Sequence, residues 1–190
     1  MSPPVIDWRL IADAVACYRA MGYAYVEAPW IVQREFVYLT LPAGRQAIEV
    51  GHGHALVGSA EQSFAELVST GGLGPGRYVA AGPCFRDEEV VDDVHRPAFM
   101  KVELIHVLER RERSPAARAL DLAHDALGFF RSVAGADRCT LQATGEGYDV
   151  ELNGLELGSY GLRTMGDHLW AYGTGCAEPR LSTALHRAGP

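Results

Sequence analysis

The chain has 190 residues, 48% hydrophobic and 22% charged, enough for one domain with a substantial core and too few for two comfortable ones. A net charge of -7, with Lys101 the only lysine among 17 basic residues, gives no compositional footprint for a polyanionic partner. The four cysteines (Cys17, Cys84, Cys139, Cys176) show neither CxxC nor zinc spacing, no signal-peptide pattern opens the sequence, and no apolar run approaches the roughly 20 residues of a membrane span, so a soluble, cytoplasmic protein with reduced thiols is expected.

Ile6, Leu10, Ile11, Val15 and Tyr18 recur at helical spacing and Gly22 stands where such a helix would stop, which predicts an amphipathic helix over residues 6–21. Tyr23 to Ala28 and Phe36 to Leu41 read as strands, and Ala60 to Val68 as a second helix before the turn Gly71-Gly72-Leu73-Gly74-Pro75-Gly76. Tyr78 to Phe85 and Phe99 to Leu108 are predicted strands joined by an acidic loop. Ser114 can cap a long helix that runs to about Val133, with Gly135 ending it. Short strands follow at 140–143, 148–152, 155–162 and 169–173, then a final helix over about 178–186. Many strands in hairpin order with few helices between them predict an α+β fold, an antiparallel sheet flanked by helices, filling residues 1–190 as a single domain.

The stretch richest in chemistry is Phe85-Arg86-Asp87-Glu88, followed by His95-Arg96-Pro97-Ala98-Phe99-Met100-Lys101-Val102-Glu103. As a set, residues 84–103 resemble motif 2 of the class II aminoacyl-tRNA synthetases, including a His, here His95, before the Pro and the aromatic. In the reaction this resemblance implies, a fixed guanidinium beside the α-phosphate of ATP stabilises the charge that builds when a carboxylate attacks it, and a flat aromatic face can stack on adenine. The resemblance gives Arg86 the first task and Phe99 the second, lets Glu88 accept the exocyclic amine, and places His95 in the same nucleotide site. Taken singly, Arg86 and Glu88 can equally be a surface ion pair and Phe99 a core residue. The resemblance implies a catalytic core that uses ATP and Mg²⁺ to turn a carboxylic acid, an amino acid by preference, into an acyl-adenylate.

The run from Tyr148 to Arg163 contains Asn153-Gly154, a two-residue hairpin signal whose regular register puts Asp149 and Glu156 diagonal to each other on one face. Two carboxylates so placed can share Mg²⁺, and Gly158 and Gly161 would leave room for a substrate against the strand. By itself the run also suits an ordinary acidic hairpin. It is similar to the aspartyl and asparaginyl branch of the same family, which implies metal binding by Asp149 and Glu156 and substrate contact by Arg163. Gly173-Thr174-Gly175-Cys176-Ala177-Glu178-Pro179-Arg180 resembles motif 3, which implies that Arg180 holds the γ-phosphate and covers adenine. Gly22 to Pro29 after a helix looks like motif 1 and implies a homodimer. Ser59-Ala60-Glu61-Gln62 resembles the loop that meets the substrate's amino group, with Glu61 and Glu103 offering negative charge. Its plain reading is a helix N-cap with a first-turn acid.

Two departures bear on substrate and acceptor. Where the aspartyl branch carries a lysine that binds the substrate carboxylate, this chain has Phe64, and Phe64 with Tyr160 near the pocket would favour an apolar or aromatic acyl group. No segment corresponds to the family's anticodon-binding domain, and the short span from Glu103 to Asp149 is closer to the seryl or pyrrolysyl type. A free amine, ammonia, a carrier-protein thiol or a protein side chain is expected as acceptor ahead of tRNA. The alternative is a non-catalytic paralogue, a dimeric regulatory or ligand-sensing module, although Arg86, Asp149, Glu156 and Arg180 are all retained. His52 and His54 alternate between glycines, where a solvated hairpin tip is a simpler reading than a metal site.

Overall fold

The computed structural model describes residues 5–42 and 44–189. Helix α1 is Trp8–Ala20, started by the Asp7 carboxylate, which accepts from the backbone N–H of Arg9 at 2.9 Å and of Leu10 at 3.3 Å. Its buried stripe is Ile11, Ala14 and Tyr18, the helical period seen in the sequence. Strands β1 (Ala24–Tyr25) and β2 (Ile31–Gln33) lead into helix α2 (Arg34–Tyr38), then β3 (Glu49–Gly51), β4 (His54–Leu56) and helix α3 (Ala60–Ser69). A ten-residue hairpin follows, β5 (Gly76–Phe85) paired with β6 (Ala98–Val107) from Gly76 opposite Val107 to Phe85 opposite Ala98. Helix α4 (Pro115–Ala134), strands β7 (Cys139–Ala143), β8 (Gly147–Leu152), β9 (Leu155–Met165) and β10 (His168–Glu178), and helix α5 (Arg180–Ala188) complete the order.

Seven strands form one sheet in the order β1-β5-β6-β10-β9-β8-β7, antiparallel except for the β1 and β5 pair, while β2, β4 and β3 form a second, three-stranded sheet. Alternation along each long strand sends one set of side chains to each face. On one face Val79, Val102, Leu104, Val150 and Leu152 pack under α1, α4 and α5 through Tyr18, Leu122, Phe129, Phe130 and Leu181. On the other, Ala80, Ile105, Val107 and Trp170 pack against Phe64, Val68, Phe36 and Val32 from α3, α2 and the small sheet. Burying an aliphatic or aromatic side chain of this size contributes about 1.5–3 kcal/mol each, so these two layers carry the stability of the domain. Among the described residues no helix is long and apolar enough to cross a membrane.

The expected α+β layering is observed, with local differences that packing explains. The predicted strand at Phe36 to Leu41 is the helical turn of α2, continued by Leu41 N–H to Val37 O at 3.1 Å. Phe36 and Val37 are both buried in the second core, and consecutive inward residues suit a helical turn better than a strand. Ser114 stands at the N-cap of α4 but its side chain makes no cap hydrogen bond. His52 and His54 lie at the β3–β4 hairpin, exposed, with His54 Nδ1 3.0 Å from the His52 carbonyl, and no group of three or more metal-type ligands occurs among the described residues. Strand β10 runs five residues beyond the predicted end at Gly173, through a bulge that leaves Gly175 unpaired between Thr174 and Cys176. Both glycines are packing requirements: a Cβ on Gly173 would fall inside the Tyr160 ring, and one on Gly175 would lie 2.7 Å from Tyr18, whose hydroxyl donates to the Gly175 carbonyl at 2.8 Å.

Candidate active site

A cavity of about 340 Å³ opens on the sheet face that carries the second core, between the large sheet, the N-terminus of α3 and the loops around the small sheet. Strand β6 supplies Phe99, Lys101 and Glu103, three alternate residues that share this face. The end of β5 supplies Arg86, Asp87 and Glu88; the start of α3 supplies Ser59, Glu61 and Gln62. Strand β9 adds Glu156, Ser159 and Arg163, β10 adds Tyr172, Thr174 and Glu178, and α5 adds Arg180 at its first residue.

One end of the cavity is rich in guanidinium groups. Arg86 Nε donates to the Gly58 carbonyl at 3.2 Å and its guanidinium lies 5.0 Å from the Phe99 ring centroid, so the cation is held above a flat apolar face. Gly58 permits this approach, since a Cβ there would meet the Phe85 carbonyl at 3.3 Å and Arg86 Cγ at 3.7 Å. Arg180 Nη1 is 3.6 Å from Glu156 Oε1 and 3.4 Å from the Glu156 carbonyl. Arg45 crosses the mouth to the Asp87 carbonyl at 2.8 Å, with the Glu88 carboxylate 3.9 Å away.

The other end holds two buried carboxylates, each with its own cation. Glu103, 1% exposed, accepts from Ser59 Oγ at 2.6 Å and pairs with Lys101 Nζ at 2.9 Å. Glu61, 4% exposed, takes Arg163 Nε at 2.7 Å and Trp170 Nε1 at 2.9 Å on the same oxygen, while the Arg163 guanidinium lies 4.9 Å from the Tyr172 ring. Burial pushes the Glu61 carboxyl upward from its ordinary value and the Arg163 and Trp170 contacts pull it back, with burial the larger effect. Ser59 also caps α3 by accepting from Glu61 N–H at 3.4 Å, so it is both helix cap and cavity wall. Cys84 lies buried opposite Phe99 on the neighbouring strand, its thiol pushed up to about 12 by burial, a structural thiol rather than a nucleophile.

The structure thus gathers Arg86, Glu88, Phe99, Ser59, Glu61, Glu103, Arg163, Glu156 and Arg180 around one cavity and leaves two expected residues outside it. His95 is off the wall because Asp92 holds it: its Nδ1 is 3.0 Å from Asp92 Oδ2, and Asp92 also accepts from the backbone N–H of Val94 and His95. Those contacts, the His95 side chain first, keep the Asp92 carboxyl well below the usual range. Asp149 is not part of the wall, although the extra residue Leu157 sets it opposite the wall residue Ser159 and, with Glu151 opposite Glu156, it lies diagonal to Glu156 on the same face.

Gly158 and Gly161 do not leave substrate space, since a Cβ on either would lie 2.7 Å from the hydroxyl of Tyr160 or Tyr172 respectively. Phe64 and Tyr160 are buried in the two cores and do not line the cavity, so neither selects an apolar acyl group by contact. Sequence reading passed over Lys101, Ser159, Tyr172, Thr174, Glu178 and Arg96 as wall residues. The alternation from Phe99 to Glu103 was a sufficient signal for Lys101; nothing local marked the others.

No family model matches the sequence, and no curated protein matches it. Among solved structures, the chain is similar to pyrrolysyl-tRNA synthetase from Desulfitobacterium hafniense (TM-score 0.73, 17% identity), covering 95% of this chain and 67% of that one. It is also similar to seryl-tRNA synthetase from Pyrococcus horikoshii complexed with ATP (TM-score 0.74, 18% identity, 94% of this chain and 49% of that one). A third similar structure is the cytoplasmic serine-tRNA ligase of Naegleria fowleri in complex with AMP (TM-score 0.71, 14% identity, 93% and 46%). The fold is therefore that of a class II aminoacyl-tRNA synthetase catalytic core. The chain spans about two thirds of the pyrrolysyl enzyme and about half of each seryl one, and these are the types to which the short span after Glu103 pointed.

Proposed function

We propose that the protein activates an amino acid with ATP: a carboxylate oxygen bonds to the α-phosphorus, the bond to the bridging oxygen of the β-phosphate breaks, and acyl-adenylate and pyrophosphate result. The observation that carries this reading is Arg86 held over Phe99 in the same cavity as Arg180 and the two buried carboxylates. Adenine stacks on Phe99, with Glu88 taking its amine. Arg86 meets the α-phosphate, where charge grows in the transition state, and Arg180 the distal phosphates. No proton has to be removed, because the attacking carboxylate is already ionised, so catalysis is positioning and electrostatics. Glu61, Glu103 and Arg163, with Ser59, define the acid's end of the cavity.

Mg²⁺ with a triphosphate needs one or two carboxylates besides phosphate oxygens and water. Glu156, on the wall beside Arg180 with its side chain 47% exposed, fits that need; Glu178 is buried and committed to the Asp7 and Ser182 N–H groups and the Ser182 hydroxyl. Glu156 would hold the ion, which would neutralise the phosphate charge. The acceptor we favour is an amine, a carrier-protein thiol or a protein side chain, because the loop at the mouth carries Asp87, Glu88, Glu89, Asp92 and Asp93 and would repel RNA. We further propose a cytoplasmic homodimer. Among the described residues, eight of the eleven large apolar side chains left exposed, Trp8, Trp30 and Ile31 among them, fall in the first 50 positions, and sedimentation equilibrium should give twice 20.6 kDa. A 20.6 kDa species at micromolar concentration would refute the dimer.

The direct test is exchange of labelled pyrophosphate into ATP across the standard amino acids. One or a few should support exchange, and chelation of divalent cations by EDTA should abolish it. Silence across the panel, with ATP binding also absent by calorimetry, would overturn the adenylation reading in favour of a ligand-sensing module.

A further inference from the structure

Sixteen of the seventeen basic residues are arginine, and the one lysine stands in the cavity with its side chain 11% exposed. Lysine differs from arginine in presenting a compact point charge with three donors in place of a broad planar fork. Along the cavity face of β6 the order is Phe99, Lys101, Glu103, with about 7 Å between alternate residues. Phe99 lies under Arg86 at the guanidinium end and Glu103 against Ser59 at the other, so Lys101 is midway. Its partners across the ladder, Gly82 and Ala177, are too short to compete for the ammonium, and among the described residues only Glu103 accepts a hydrogen bond from it.

We propose that Lys101 is a substrate-binding residue that takes the reacting carboxylate, and that the Lys101–Glu103 pair selects an α-amino acid over a plain carboxylic acid; this rests on the adenylation reading. A zwitterion carries both charges on one carbon, matching a cation and an anion 2.9 Å apart. On binding, the internal pair is exchanged for two external ones, carboxylate to Lys101 and ammonium to Glu103. An acid without the amine would draw Lys101 away and leave the buried Glu103 without a cation, which is costly.

Because the chain has one lysine, protein grown with lysine labelled at ζ-nitrogen with ¹⁵N gives a single side-chain Nζ resonance. That resonance should move on addition of an equimolar mixture of the standard amino acids, and stay in place with a matched mixture of acetate, propionate and isobutyrate or with ATP alone. No movement with amino acids, or movement with ATP alone, overturns the assignment. Exchange activity with an unmoved resonance would uphold adenylation and overturn Lys101; a moved resonance without exchange would do the reverse. Lys101→Met should raise the amino-acid KM about 100-fold and leave the ATP KM within about threefold, as expected for loss of one charged contact to one substrate. Should that variant fail to fold, Lys101→Met with Glu103→Gln keeps the site neutral and must lose amino-acid-dependent exchange; its retention overturns the proposal.

Discussion

Replacing Arg86 with alanine should lower single-turnover formation of labelled acyl-adenylate by about 10³-fold or more, the scale seen when a guanidinium at a transferring phosphoryl group is lost. Among the described residues the side chain makes one hydrogen bond to a carbonyl and one contact with a ring, and it forms none of the salt bridges that tie the elements together. Its removal should therefore leave circular dichroism and the unfolding midpoint near those of the parent. A folded Arg86→Ala protein that still makes adenylate at a comparable rate would remove Arg86 from the phosphate site and with it the main support for the proposed reaction.

The largest effect on stability is expected from Arg163→Met, at about 3 kcal/mol in urea unfolding at pH 7, because it leaves the buried Glu61 carboxylate with Trp170 as its remaining partner. The loss should depend on pH in a definite direction. Glu61 is already raised above its ordinary value by burial in spite of Arg163, so over that interval the folded protein holds more protons than the unfolded one, and stability falls as pH rises through the folded value. Without Arg163 the folded value rises further. The deficit is then greatest near neutrality and shrinks on acidification toward the ordinary carboxylate range. Adding Glu61→Gln to Arg163→Met should restore much of the loss. A deficit that is the same at pH 5 and pH 8 would mean that Arg163 contributes packing over Tyr172 and not charge.

What the sequence determined by itself is what repeats at a local period or is written into two or three adjacent residues. Ile11, Ala14 and Tyr18 mark one stripe of α1, and Phe99, Lys101 and Glu103 one face of β6. Asn153 and Gly154 both take positive φ, 51° and 79°, in the turn their identities specify. Tertiary structure decided the rest. Leu157 and Gly175 are extra residues in otherwise regular ladders, and a bulge depends on what the sheet packs against, here Tyr18 over Gly175, as much as on the bulged residue. A contact three residues away, with Asp92, turned His95 from the cavity wall. The pairing of Glu61 with Arg163 joins side chains 102 positions apart. Local pattern gives each strand its inward face, but the partner of a buried charge is chosen only when two such faces meet.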